Sequence, residues 1–246
     1  MEKLLECCVD SVESAVIAAQ NGADRLELCA NLMIGGTSPS PALFREIRAR
    51  ISTPIRVLLR PRFGDFLYTE AEFAVIRREV RLFRELGADG VVIGCLTSEG
   101  DLDMVRMEIL MEEAGFLPVT LHRAFDVCAE PLRALEEAKA LGIDTILTSG
   151  QQSSCAAGKE LLAELSKKAG DIRIMAGAGV NAAVIADFLK TTPVRSFHLS
   201  GKEVLQSGMA YRKEGVPMGL PGLDEFQIWR ANPESIRKAR LALDQS

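Results

Sequence analysis

Eight short apolar runs recur along the 246-residue chain, and segments with helical periodicity separate them and close the chain. Strands that alternate with helices are parallel, because each helix carries the chain back across the sheet. Eight such units within about 250 residues favour a closed (β/α)8 TIM barrel over an open sheet. The runs begin near residues 4, 25, 55, 90, 118, 145, 172 and 196, and helices are predicted near 11–21, 40–50, 70–86, 103–114, 130–141, 158–169, 181–190 and 233–243.

The alternation of strands and helices is interrupted at residues 201–232. The Gly, Pro and Met content of this segment argues against a regular helix. A connection of this length before the last helix is typical of a lid, a binding loop or an interface arm. The alternative is a surface excursion without a role. Tyr211, Phe226 and Trp229 favour an ordered segment, because they can anchor it through apolar contacts. No linker divides the chain, so residues 1–246 are predicted to form one domain.

Charge and hydropathy argue against two classes of partner. The formal net charge is -5 and the basic residues are scattered, so we expect no nucleic-acid binding. No apolar run approaches the roughly 18 residues of a membrane-spanning helix. The N-terminal residues lack the basic start and long apolar stretch of a secretory signal. We therefore expect a cytoplasmic protein in which the six cysteines are reduced thiols.

Strand alternation selects the side chains that point toward the barrel axis. Successive side chains of a strand face opposite sides, and the side that meets the helices must be apolar. Glu6 and Cys8 of the first run therefore point inward, as do Arg25, Glu27 and Cys29 of the second run. The two Glu-x-Cys phrases thus place two carboxylates and two thiols on neighbouring strands around one hollow.

Later strands add basic and imidazole groups to the same hollow. Arg60 and, just beyond it, Arg62 follow the third run, while His122 ends the fifth run and His198 and Ser200 lie in the eighth. Late strand positions meet at the C-terminal mouth, where barrels of this type keep their chemistry. A core selected only for stability would use aliphatic residues here. A functional site is therefore favoured over the alternative, a structural network of Glu–Arg pairs.

These residues lie in blocks that resemble the signature blocks of the CutC family. The blocks are ECCVDSVESA, NGADRLELC, GGTSPS, LRPRFGDFLYTEAEF, LHRAFD and LTSGQQSS. The similarity runs along almost the whole chain and is weakest after about residue 195. The resemblance implies a TIM barrel that is cytoplasmic, forms a homo-oligomer (a dimer or a tetramer) and is associated with copper tolerance. It implies no settled enzymatic activity.

The resemblance also identifies Cys8 and Cys29, and not Cys7, as the paired cysteines of the family. Soft thiolates select Cu(I), and neighbouring strands lie ~4.8 Å apart, so two inward thiols can meet one ion. His122 or His198 is a candidate for an additional nitrogen ligand. The first hypothesis is therefore a Cu(I)-binding protein of copper homeostasis.

The second hypothesis is an enzyme that acts on a small anion, either a carboxylate or a phosphate. Its catalytic candidates are Glu6 or Glu27 as general base, His122 as the opposing acid, and Asp126 from the LHRAFD block. Its substrate-binding candidates are Arg60, Arg62, Thr148, Gly177, Gly179, His198 and Ser200. Paired arginines can hold an anion bidentately, and small residues after the seventh and eighth strands are typical of a barrel phosphate site. A scaffold protein with a degenerate site is the third hypothesis, and the inward charges argue against it.

Overall fold

The computed structural model describes residues 2–213, 215–216, 218 and 224–245. Eight parallel strands pair in chain order, and the first also pairs with the eighth, so the sheet closes into the predicted (β/α)8 TIM barrel. The strands are β1 (Leu4–Val9), β2 (Arg25–Leu28), β3 (Ile55–Leu58), β4 (Gly90–Ile93), β5 (Val119–Leu121), β6 (Thr145–Thr148), β7 (Arg173–Ala176) and β8 (Ser196–Leu199). The helices are α1 (Val12–Gln20), α2 (Pro41–Arg48), α3 (Glu70–Glu85), α4 (Met104–Ala114), α5 (Pro131–Leu141), α6 (Lys159–Lys168), α7 (Ala182–Thr191) and α8 (Pro233–Asp244).

The side chains of β1 and β2 alternate between the helices and the barrel axis. Leu5, Cys7 and Val9 of β1 belong to the large apolar core between the sheet and the helices, together with Leu26 and Leu28 of β2. This is the helix-facing set that alternation predicts, and it includes the thiol of Cys7. The residues between them on each strand therefore point toward the barrel axis.

Strand register decides which of the inward groups are direct neighbours. Glu6 lies opposite Arg25, and Cys8 lies opposite Glu27. Cys29 follows β2 and its amide donates to the carbonyl of Val9. The second thiol therefore lies further toward the mouth than the first, diagonally across the strand pair, and the direct neighbour of Cys8 is a carboxyl group.

Polar caps set where the helices begin. The side chain of Thr69 accepts from the backbone of Glu72, and the carboxylate of Glu72 accepts from the backbone of Thr69, which forms a capping box at the start of α3. Ser40 caps α2, and Pro41 occupies its first turn, where a missing N–H costs nothing.

Among the described residues, no helix combines the length and the apolar composition needed to cross a bilayer.

An arginine fills the barrel interior beneath the mouth. Nη1 of Arg56 on β3 donates to the hydroxyls of Thr120 (2.6 Å) and Thr145 (3.2 Å). Nη2 of the same guanidinium forms an ion pair with Asp144 at 2.6 Å. Both threonines are fully buried. Arg56 thus satisfies buried hydroxyls of β5 and β6 and connects three strands across the barrel.

The segment before the last helix contains a small antiparallel sheet. Its strands are β9 (Lys202–Gln206) and β10 (Gln227–Ala231). Lys202 Nζ lies 4.2 Å from the ring centroid of Trp229, and the Arg212 guanidinium lies 3.9 Å from that of Phe226. Tyr211 is 68% exposed, so the prediction that it anchors the segment is wrong. Residues 214, 217 and 219–223 of this segment lie outside the described part of the chain.

Replacing Arg56 with Met tests the interior network. We expect Arg56→Met to lower the free energy of unfolding by about 3 kcal/mol, because two buried hydroxyls and Asp144 lose their partner. Urea denaturation measures the change. The control is Arg50→Met, which breaks an exposed pair with Glu46 and should cost less than about 1 kcal/mol. Equal effects of the two variants would contradict a structural role for Arg56.

Candidate functional site

A cavity of about 280 Å³ opens at the C-terminal mouth of the barrel. Strand ends and the loops that follow them form its wall. The lining residues are Cys8, Glu27, Cys29, Leu32, Gly35, Gly36, Leu58, Arg60, Phe66, His122, Arg123, Leu147, Ala178, Gly179, Val180, His198, Leu199, Ser200 and Lys202. Its volume lies at the lower end of the range for ligand pockets, so it suits a small molecule or an ion.

The structure brings most of the sequence-predicted residues to this cavity. Those that line it are Cys8, Glu27, Cys29, Arg60, His122, Gly179, His198 and Ser200. The predicted residues that do not line it are Glu6, Arg62, Asp126, Thr148 and Gly177. Glu6 lies beneath the cavity floor, whereas the other four lie in loops and strand ends beside it.

Arg62 does not share the hollow with Arg60, contrary to the prediction. Its guanidinium forms ion pairs with Asp65 at 2.8 Å and with Glu72 at 2.7 Å, and it lies over the ring of Tyr68. The strand alternation that selected Arg62 does not hold there, because β3 ends at Leu58. The bidentate clamp of two arginines is therefore not formed.

Asp126 and Thr148 hold a loop instead of facing the cavity. The Thr148 hydroxyl donates to Asp126 Oδ1, and the amide of Ser149 donates to the same carboxylate at 2.9 Å. Arg123 Nε donates to Asp126 Oδ2 at 2.6 Å. A Cβ on Gly177 would lie 2.7 Å from Cδ1 of Leu147, so a larger residue there would displace the end of that side chain. These residues position the loops after β5, β6 and β7.

Arg60 lines the cavity, but its guanidinium already serves the neighbouring loops. Nη2 donates to the carbonyl of Gly64 at 2.6 Å, and Nη1 donates to that of Gly36 at 3.3 Å. The guanidinium lies 4.8 Å from the ring centroid of Phe66. Arg60 therefore contributes positive charge to the cavity wall, but its two Nη atoms are not free to hold an anion bidentately.

Glu6 is a buried carboxylate with two cationic partners. Arg25 Nε pairs with Glu6 Oε2, and Nδ1 of His198 lies 2.8 Å from Glu6 Oε1. Burial favours the neutral acid, but Arg25 and His198 outweigh burial and lower the pKa of Glu6 to about 2. Glu6 is thus ionised at neutral pH and is not a proton acceptor.

His198 is held as an imidazolium by its surroundings. Burial opposes the positive charge, but Cys8, Glu27 and Glu6 raise the pKa of His198 well above its ordinary value. The ring lies at the seam where β8 meets β1, opposite Glu6 in register. The imidazolium therefore links the buried carboxylate to the open cavity.

Glu27 has the opposite behaviour from Glu6. It is 5% exposed, and its Oε2 has no hydrogen-bond partner among the described residues. Burial raises the pKa of Glu27 to about 7, with Glu6 adding to the rise and His198 opposing it. A carboxyl group in this state exchanges a proton near neutral pH, as a general acid or base must.

His122 is a neutral imidazole at neutral pH. Burial, followed by the charge of Arg60, lowers the pKa of His122 to about 3. Its Nδ1 accepts from the amide of Ala124 at 3.1 Å, so the ring proton resides on Nε2. The ring packs against that of Phe66 in a tilted arrangement, with 4.8 Å between the ring centroids. A neutral imidazole is a weak proton donor, which argues against the predicted role of His122 as the opposing acid, although its Nε2–H is a hydrogen-bond donor.

The two predicted ligand thiols are buried and form no disulfide. All six cysteines are free thiols. Cys8 and Cys29 both line the cavity, and Cys29 Sγ donates to the Val9 carbonyl at 3.5 Å. Burial and then the neighbouring Cys8 raise the pKa of the Cys29 thiol. An ion that binds Cys29 must therefore displace its proton.

The loop after β7 provides less of an anion site than the sequence indicated. Gly179 and Ala178 both have positive φ, 80° and 68° respectively, and both face the cavity. The side chain of Asn181, however, already accepts from the amides of Ala183 (3.0 Å) and Val184 (3.1 Å). The amides of the first turn of α7 are thus already bonded to the side chain of Asn181 and are not free to bind an anion.

Two residues near the site were not singled out from the sequence. Arg56 shares the inward face of β3 with Leu58, and strand alternation alone could have found it. Phe66 lies between Arg60 and His122 and covers both, but it belongs to an irregular loop without periodicity. No sequence signal could have placed that ring over the cavity.

Fold and cavity together define a TIM-barrel protein with a polar, thiol-bearing hollow at its C-terminal mouth. The model of the CutC family matches residues 3–203. The chain is 42% identical to a family protein CutC of Chromobacterium violaceum, over 100% of both chains. It is 47% identical to a relative of the same name from Bacteroides fragilis, over 96% of this chain and 94% of that one. The chain therefore belongs to the CutC family.

Solved structures support the same placement. A protein of Streptococcus agalactiae, provisionally named copper homeostasis protein CutC, superposes with a TM-score of 0.77 and 29% identity. The match covers 80% of this chain and 98% of that one. N-(5'-phosphoribosyl)anthranilate isomerase from Pyrococcus furiosus superposes with a TM-score of 0.56 at 14% identity over 100% of both chains. That likeness shows the barrel fold alone.

The raised pKa of Glu27 predicts a pH-dependent stability. Between its ordinary value of 4.5 and about 7, the folded protein keeps a proton that the unfolded chain has lost. Stability should therefore fall as pH rises through this window, by up to about 1.4 kcal/mol per pH unit. Glu27→Gln should reduce this slope in urea denaturation between pH 5 and 7. An unchanged slope would contradict the assignment, and the exposed Glu13→Gln is the control.

Proposed function

We propose that this protein binds Cu(I) through Cys8 and Cys29 and takes part in copper homeostasis. The observation that carries the proposal is that two buried free thiols from neighbouring strands line one cavity at the barrel mouth. Thiolates are soft ligands, and Cu(I) is one of the ions that they favour. The name of the Streptococcus agalactiae relative points in the same direction.

The surroundings of the thiols fit a soft monovalent ion. Leu58 and Val92 pack against Cys29 in a small apolar cluster, which limits access of water. His198 lines the same cavity as the two thiols. Cys7 faces the helices instead and belongs to the large apolar core, so it is not a ligand in this proposal.

Serine substitution of either inward thiol tests Cu(I) binding. We expect Cys8→Ser and Cys29→Ser each to abolish binding of one Cu(I) per chain, because a hydroxyl is a poor ligand for a soft ion. Competition with a chromophoric Cu(I) chelator measures the affinity. The control is Cys7→Ala, which removes the adjacent thiol on the other face and should retain binding.

The affinity should also depend on pH. Since the Cys29 thiol has a raised pKa, binding releases its proton, and affinity should increase about tenfold per pH unit for each proton released. The comparison is made between pH 6 and 8. Unchanged affinity in both serine variants would contradict the proposal whatever the pH dependence.

A second candidate function is an enzyme that acts on a small carboxylate or phosphate. The specific observation is the unpartnered carboxyl of Glu27 in a cavity where Arg60, Arg123, Lys202 and His198 supply positive charge. Glu27 is the one acidic residue among the described residues of the lining. Its pKa of about 7 suits proton transfer, and the neutral His122 could donate a hydrogen bond to a carbonyl oxygen.

Matched arginine variants test the anion site. Inorganic phosphate binding is measured by calorimetry for Arg60→Met, Arg60→Lys and Arg62→Met. We expect Arg60→Met to weaken binding at least about tenfold, since a charged hydrogen bond contributes on the order of 1.5–3 kcal/mol. Arg60→Lys loses the same loop contacts as Arg60→Met but keeps the positive charge. It should therefore retain most of the affinity for phosphate. Weakening by Arg62→Met equal to that by Arg60→Met would contradict the assignment.

The cytoplasmic location and the homo-oligomeric state stay predictions from the family resemblance. Native mass spectrometry of the protein purified from its own cells reports the bound metal, the bound metabolite and the oligomer together.

A further inference from the structure

We infer that Glu6, Glu27 and His198 form a binding site for a divalent first-row transition ion beside the thiol of Cys8. One ligand atom from each of the three residues lies within 4.8 Å of the other two. All three side chains lie on the barrel axis, one from each of the adjacent strands β8, β1 and β2. Two carboxylates and one imidazole are oxygen and nitrogen ligands, which suit such an ion better than Cu(I).

Internal ion pairing accounts for only two members of this cluster. Glu6 has Arg25 and His198 as partners, at its two separate carboxylate oxygens. The neighbouring guanidinium of Arg56 is directed at Asp144 and two threonines. Glu27 forms no ion pair with any described residue, and its Oε2 is buried without a partner. A purely structural network leaves this oxygen unsatisfied, which is costly.

A divalent ion satisfies the unpartnered oxygen and takes the place of the proton between Glu6 and His198. Arg25 holds Glu6 Oε2, which orients the other oxygen, Oε1, toward His198. Hydrogen bonds of this kind from outer residues orient metal-ligating carboxylates in general. Binding releases the proton of the His198 imidazolium and the proton of Glu27 where that carboxyl is neutral, and an imidazole nitrogen then coordinates the ion.

The position of the site gives the ion access to ligands from outside. Glu27 and His198 line the cavity, whereas Glu6 lies beneath its floor. The three residues therefore approach the ion from the floor and one side, and the remaining coordination positions face the cavity. Three protein ligands with open positions are typical of metal sites that also bind a water or a small molecule.

This inference is independent of the copper proposal, because the two sites use different ligand chemistry. It changes the role of Glu27 in the acid–base candidate, since a coordinated carboxylate is not free to accept a proton. That candidate therefore applies to the metal-free protein.

Mn²⁺ is the probe that separates this site from the thiols, because it prefers oxygen ligands and does not favour thiolates. Titration of the full chain with MnCl₂ is followed by the electron paramagnetic resonance signal of free Mn²⁺. We expect one bound ion per chain. Glu27→Gln should weaken binding by at least about tenfold, as loss of even an outer-shell partner does. The double variant Cys8→Ser, Cys29→Ser should bind Mn²⁺ as the wild type does.

The matched control is Glu79→Gln, which removes another largely buried carboxyl, one that accepts from Ser38 at 2.7 Å outside this cluster. It should leave Mn²⁺ binding unchanged. Circular dichroism checks folding, and His198→Gln replaces Glu27→Gln if the latter does not fold. Absence of Mn²⁺ binding to the wild type, equal affinity in Glu27→Gln, or loss of binding in the double cysteine variant would each overturn the inference.

Discussion

The charge of Glu6 is the constraint on which the interior of this barrel depends. Its carboxylate is fully buried, so it is ionised only because Arg25 and His198 supply positive charge. Glu6 lies on β1, Arg25 on β2 and His198 on β8, and these strands are neighbours where the barrel closes. The pairing therefore fixes the imidazole at the cavity floor, and it leaves Glu27 as the neighbouring carboxyl that has no cation of its own.

Residues of the same type acquire opposite states because of where their neighbours lie. Glu6 has a pKa of about 2 and Glu27 one of about 7, although strand register separates them by a single pair. His122 is neutral with a pKa of about 3, whereas the pKa of His198 is raised. Burial acts on all four groups: opposite charges outweigh it at Glu6 and His198, whereas burial prevails at Glu27 and His122. The cavity thus combines a fixed cation with a carboxyl that titrates near neutral pH.

The cavity brings soft and hard ligands side by side. Cys8 and the carboxyl of Glu27 lie level in strand register, whereas Cys29 lies nearer the mouth and Glu6 nearer the barrel centre. The two sets differ in softness, because thiolates favour Cu(I) and carboxylates favour harder divalent ions. Family membership is consistent with a role in copper homeostasis, whereas the Glu6, Glu27 and His198 set is a property of this interior that the copper role does not require.

The sequence by itself determined the barrel, its eight strands, and the inward direction of Glu6, Cys8, Glu27 and Cys29. Apolar periodicity and strand alternation are local properties, so they can be read without knowing the fold. Only the tertiary structure decided which inward groups meet. It directed Arg62 to Asp65 and Glu72 and placed Phe66 over His122. These outcomes follow from loop paths and strand register, which bring together residues distant in the chain and have no local signal.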